Sequence, residues 1–145
     1  MNIYVAAAFG QAQRVREIHA RLAGLGVTPV SSWVDRGDGQ VERLDEMTGA
    51  DLAEIIEEND AAVASADVIM VLSSLEAKET FAEARYALSL GRLVLWVGEP
   101  RPLSAYRQGV VSLPHVETAL CFLEGYMRAD GALRRPLSRR LALVR

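Results

Sequence analysis

The sequence predicts an α/β protein, a doubly wound parallel five-stranded sheet covered by helices on both faces in three layers. Three observations carry this expectation. Short apolar runs alternate with helical patterns along most of the chain, which specifies strand–helix–strand units joined by right-handed crossovers. One run, Asp67–Leu72, is apolar without alternation after its first residue, the mark of a central strand covered on both sides. The chain has 145 residues, enough for one domain around a single core.

The elements follow in order. Asn2–Ala8 reads as a buried first strand. Val15, Ile18, Leu22 and Leu25 recur at helical spacing, so Gln11–Leu25 is an amphipathic helix, with Gly26 placed for a left-handed cap. Val27–Trp33 is expected as the second strand. Asp35–Met47 is polar and glycine-bearing, a loop that can cover a site. Thr48–Ser65 is a long helix with Leu52, Ile55, Ile56 and Val63 as its apolar stripe. After the central strand, Glu76–Leu90 is helical and Gly91 caps it. Arg92–Val97 is the fourth strand, Val110–Leu113 a short fifth, and Val116–Tyr126 the closing helix.

Composition removes several function classes. Hydrophobic residues make up 50% and aromatics only 6%, so Ala, Val and Leu fill most of the core. No apolar run reaches the roughly 18 residues of a membrane span. The opening MNIYVAAAF lacks a basic n-region, so no secretory signal is expected and the location expected is cytoplasmic. Cys121 is the single cysteine, and no Cys/His set with zinc-ligand spacing exists; neither a metal nor another cofactor is expected. The net charge is −3, but the segment from Arg128 carries six arginines against Asp130, about +5 locally. The expected organisation is therefore a domain over 1–127 and a basic tail over 128–145. The tail has no interleaved aromatics and the body is acidic, which disfavours nucleic acid as a partner.

In such sheets ligands bind beyond the carboxyl ends of the strands, near the switch in strand order. That edge gathers Ala7, Phe9 and Gly10 after strand one, Trp33 and Asp35 after strand two, and Ser73 and Ser74 after strand three. Neither G-x-G-x-x-G nor G-x-x-x-x-G-K-[ST] is present, although the helix start after Gly10, with Arg14 one turn in, leaves backbone N–H groups for a phosphate or sugar hydroxyl. Two readings compete at Thr80–Glu83. The T-x-x-E pattern fits a capping box, in which Glu83 only ties back to the backbone. The helical stripe of Phe81, Ala84, Ala87 and Leu88 instead places Glu83 at its edge, where a partly desolvated carboxylate suits a nucleophile or general acid/base. Asp60 falls near the buried stripe of its own helix. Alternation puts Tyr4 on one face of the first strand with Asn2 and Ala6, and its hydroxyl needs a partner if buried. His19, beside a helix stripe, and His115, in a loop, suggest no chemistry, and no Ser-His-Asp arrangement is legible.

Three segments, IYVAAAF, ENDAAVASADVIMVL and TFAEARYALSLGRLVLWVG, keep their order across roughly residues 1–98. With them the chain resembles the nucleoside 2-deoxyribosyltransferase superfamily, including its 2'-deoxynucleoside 5'-monophosphate N-glycosidase branch. The resemblance implies a flavodoxin-like fold, assembly as a homodimer or higher oligomer, and, without cofactor, cleavage of the N-glycosidic bond of a 2'-deoxynucleoside or its 5'-monophosphate. It implies Glu83, in Glu83-Ala-Arg-Tyr-Ala87, as the nucleophile at C1', Asp60 as assisting group at base or sugar, and Tyr4 as the residue orienting the carboxylate. Such cleavage passes through an oxocarbenium-like transition state that a nearby carboxylate stabilises.

Around that core, Phe9 and Trp33 are expected to stack on the base, and Ser73, Ser74 and Thr80 to hydrogen-bond sugar or phosphate. Where the family commonly has glycine before the glutamate helix, this chain has Lys78-Glu79-Thr80. Glu79 opposes a 5'-phosphate there while Lys78 and Arg14 favour one, so nucleoside and monophosphate both stay open, as do hydrolysis and transfer. The same departure motivates a second reading, a nucleotide-binding sensor of this fold without turnover.

Overall fold

The computed structural model describes residues 1–36, 46–76 and 78–133. Strands β1 (Asn2–Ala6), β2 (Thr28–Pro29), β3 (Val68–Leu72), β4 (Leu93–Val97) and β5 (Val110–Leu113) form one parallel sheet in the order β2-β1-β3-β4-β5. Helices α1 (Ala12–Gly24), α2 (Gly49–Ser65), α3 (Lys78–Ser89) and α4 (Val116–Leu133) cover it. This is the flavodoxin-like doubly wound order, with its switch point between β1 and β3.

Every residue of β3 is buried, as its unbroken apolar run requires of a strand flanked by β1 and β4 and covered on both faces. Register fixes which β1 side chains face which layer. Tyr4 pairs beside Ile69 and Ala6 beside Val71, and Tyr4 projects towards α3 while Ile3 and Val5 take the opposite face. An exposed ion pair between Arg21 and Glu117 links α1 to α4. Gly26 and Gly91 lie at φ 79° and 72°, the left-handed region in which helices α1 and α3 end.

Several element boundaries differ from expectation. β1 stops at Ala6, and a short 3-10 turn, Phe9–Gln11, leads into α1. The second strand is two residues long instead of spanning Val27–Trp33. Ser32 N–H turns back onto the Val30 carbonyl at 2.9 Å, which removes that acceptor from the ladder, and Ser32–Arg36 continues as a 3-10 turn. The expected cover, Asp35–Met47, falls largely on residues 37–45, outside those described. In α2 only Val63 of the expected stripe is buried, and Ile56 is 56% exposed, so this helix meets the sheet mainly through its last turns. α4 continues past Tyr126 to Leu133, and residues 134–145 of the basic tail lie outside the described set. Among the described residues no helix is long and apolar enough to cross a membrane.

Candidate active site

Tyr4 and Glu83 are 79 residues apart in sequence and meet at the switch point. The Tyr4 hydroxyl donates to Glu83 Oε1 at 3.0 Å. β1 delivers the phenol because its even-numbered side chains face α3. α3 delivers the carboxylate because Ala84 and Ala87, packed on the sheet, leave Glu83 at the edge of the buried stripe.

This geometry removes the capping-box reading of Thr80–Glu83. α3 begins at Lys78, so Thr80 lies within the helix, buried, and is not its N-cap. The capping box sits instead at α2. There the Thr48 hydroxyl accepts from Asp51 N–H and the Asp51 carboxylate accepts from Thr48 N–H.

The electrostatics follow from enclosure. Burial raises the Glu83 carboxyl from 4.5 to about 7; the Tyr4 hydrogen bond opposes this, and the negative charges of Glu79 and Asp60 add to it. Burial, and then the adjacent Glu83 carboxylate, push the Tyr4 phenol far above its ordinary value, so it stays a donor. The charge of Asp60 on α2 pushes both groups upward. Arg36 also acts on Tyr4, in the opposite direction, and is itself ion-paired with Glu58 of α2. Sequence reasoning gave Arg36 no role; its place at the carboxyl end of the second strand was the available signal.

The remaining expected residues separate. The Ser74 hydroxyl is buried with no hydrogen-bond partner among the described residues, whereas the Ser73 hydroxyl donates to the Pro100 carbonyl. Trp33 is a core residue, 3% exposed, with its indole N–H on the Val5 carbonyl at 2.9 Å; that burial is at odds with an open stacking face for a base. Phe9 packs edge-on against Trp33 at 5.8 Å between ring centroids and remains half-buried. Ala7 is half-buried and Gly10 exposed, with open space where a Cβ would project. Arg14 is exposed on α1, bonded to Gln11 at 3.2 Å.

Asp35 is exposed and belongs to a different place, a cavity of about 150 Å³ it lines with His19, Pro29, Val30, Ser31, Ser32 and Val34. His19, read from sequence as bland, lies 2.6 Å from the Ser31 hydroxyl through Nε2. Only the folded backbone brings those two together. Among the described residues no group of three or more His, Cys, Asp and Glu could hold a metal ion.

No family model matches the chain, and no curated protein matches it in sequence. In three dimensions it is similar to a CMP N-glycosidase of Clostridium botulinum, with a TM-score of 0.54 at 12% identity. The match covers 86% of this chain and 99% of that one, and it shows a shared fold.

Proposed function

We propose that this protein is an enzyme related to the nucleoside 2-deoxyribosyltransferases, cleaving the N-glycosidic bond of a nucleoside or its 5'-monophosphate. The observation that carries the reading is the Tyr4–Glu83 pair, a half-buried carboxyl bonded to a buried phenol at the switch point of the sheet and raised to about 7. A carboxyl of that kind at a ligand-binding edge is unusual for a purely structural glutamate and suited to catalysis. The shared fold with a protein named as a CMP N-glycosidase supports the same chemistry.

In this reaction ionised Glu83 attacks C1' as the C1'–N bond breaks, and the bonding electrons leave with the base. Tyr4 holds the attacking carboxylate through its hydroxyl. Asp60 assists at the departing base, which takes up a proton from solvent as the bond breaks. Water then opens the glycosyl ester and restores Glu83, or an acceptor base takes the sugar instead. Ser74 and Phe9 serve the substrate, Thr80 being buried inside its helix, and the active form is a homodimer or higher oligomer.

The test is chromatography of free base released from a panel of nucleosides and nucleoside monophosphates, ribo and deoxy, CMP included, with and without an acceptor base. Release by the wild type and none by Glu83→Ala supports the reading, and a new nucleoside formed only with acceptor identifies a transferase. No release from any member, with ligand-induced thermal stabilisation that survives Glu83→Ala, would instead identify a sensor.

A further inference from the structure

Tyr4 reaches Glu83 only while the carboxyl half of β1 is held in place, and on its β2 side that half has no strand beside it. β2 ends at Pro29, and the Val30 carbonyl accepts from Ser32 N–H while Val5 N–H goes to a side chain. Val5, the neighbour of Tyr4, would leave a buried N–H and C=O unpaired, at a cost of about 1–3 kcal/mol each. Two side chains take the place of the missing strand. Ser31 Oγ accepts from Val5 N–H at 3.0 Å, and Trp33 Nε1 donates to the Val5 carbonyl.

Ser31 is 1% exposed, so its own hydroxyl proton needs an acceptor within the protein. His19 Nε2, 2.6 Å away on α1, is that acceptor when the imidazole is neutral with its proton on Nδ1. Burial favours the neutral form, and Asp35 is the charged group that opposes it.

We infer that Ser31 and His19 form a positioning device for the candidate active site: they fix Val5, and thereby set the strength of the Tyr4–Glu83 hydrogen bond. As a statement about catalysis this rests on the reading of Glu83 as the reacting carboxylate; its test does not require turnover. The groups facing Glu83 are Tyr4 from β1, Asp60 from α2 and Glu79 from its own helix. Since the Tyr4 bond holds the Glu83 carboxyl down, loosening Val5 should let it titrate higher.

The experiment is a carbon-13 NMR titration of the Glu83 side-chain carboxyl, its signal assigned by its absence in Glu83→Gln. In Ser31→Ala the midpoint should rise, a roughly threefold tighter proton binding. In a Tyr4→Phe background the same Ser31 substitution should leave the midpoint where Tyr4→Phe alone puts it. A structural role alone would lower thermal stability in both backgrounds without moving the midpoint. Should Ser31→Ala not fold, His19→Leu must raise the midpoint and His19→Gln, which keeps an acceptor near Nε2, must restore it. An unchanged midpoint in folded Ser31→Ala or His19→Leu overturns the inference, and so does a Ser31 effect that persists in full without the Tyr4 hydroxyl. Because base release is not part of this readout, the device and the proposed activity can fail separately.

Discussion

Replacing Glu83 with glutamine should make the protein more stable than wild type, and increasingly so as pH rises. Glutamine keeps the shape and still offers an oxygen to the Tyr4 hydroxyl, but it never carries charge. The folded carboxyl titrates near 7, against about 4.5 when the chain is unfolded. A raised acid pKa means the native state binds its proton more tightly. The stability this contributes is complete below about pH 4.5 and is lost as pH climbs through 7. Between pH 5 and 8.5 the wild type should therefore lose about 2–3 kcal/mol relative to Glu83→Gln, roughly 6–10 °C in Tm for a domain of this size. Other titrating groups cancel in the comparison. Urea denaturation of both proteins at pH 5, 7 and 8.5 measures the difference directly. A stability gap that stays constant across those pH values would refute the claim that burial raises this carboxyl.

Further expectations follow from the same geometry. If Glu83 attacks as the carboxylate, kcat should rise with pH through about 7; a rate that falls there would make Glu83 a general acid instead. Tyr4→Phe removes the bond that holds the carboxyl down, so that rising limb should move to higher pH, with kcat at pH 6 reduced about tenfold or more. Asp60→Asn removes a neighbouring negative charge, so the Glu83 midpoint should fall while base release slows; an unmoved midpoint in the NMR titration would separate Asp60 from the pair. Thr48→Ala breaks the α2 capping box and should cost about 1 kcal/mol in urea denaturation without altering the Glu83 midpoint.

Much of the architecture was legible because it rests on periodicity, which is a local property. The unbroken apolar run at β3, the helical spacing in α1 and the glycines after α1 and α3 each signal their conformation within a few residues. The short second strand was not legible. Val27–Trp33 has strand composition, but the capture of Val5 by Ser31 and Trp33 joins positions 26 and 28 residues apart. Trp33 looked like a stacking surface for the same reason: its side chain is apolar, and only the folded chain supplies the Val5 carbonyl that draws its indole into the core.

At the site, the residues themselves determined that Glu83 lay at the edge of a buried stripe and that a buried Tyr4 hydroxyl would need a partner. They could not determine that each was the other's partner, nor that Thr80–Glu83 was no capping box. The pairing depends on β1 lying beside β3 at the switch point, which sets Tyr4 under α3, and the missing capping box on α3 starting at Lys78. The raised Glu83 pKa is likewise a tertiary property, since desolvation and the charges of Asp60 and Glu79 act through space. Sequence fixes which groups can ionise, and the packing around them decides at what pH they do.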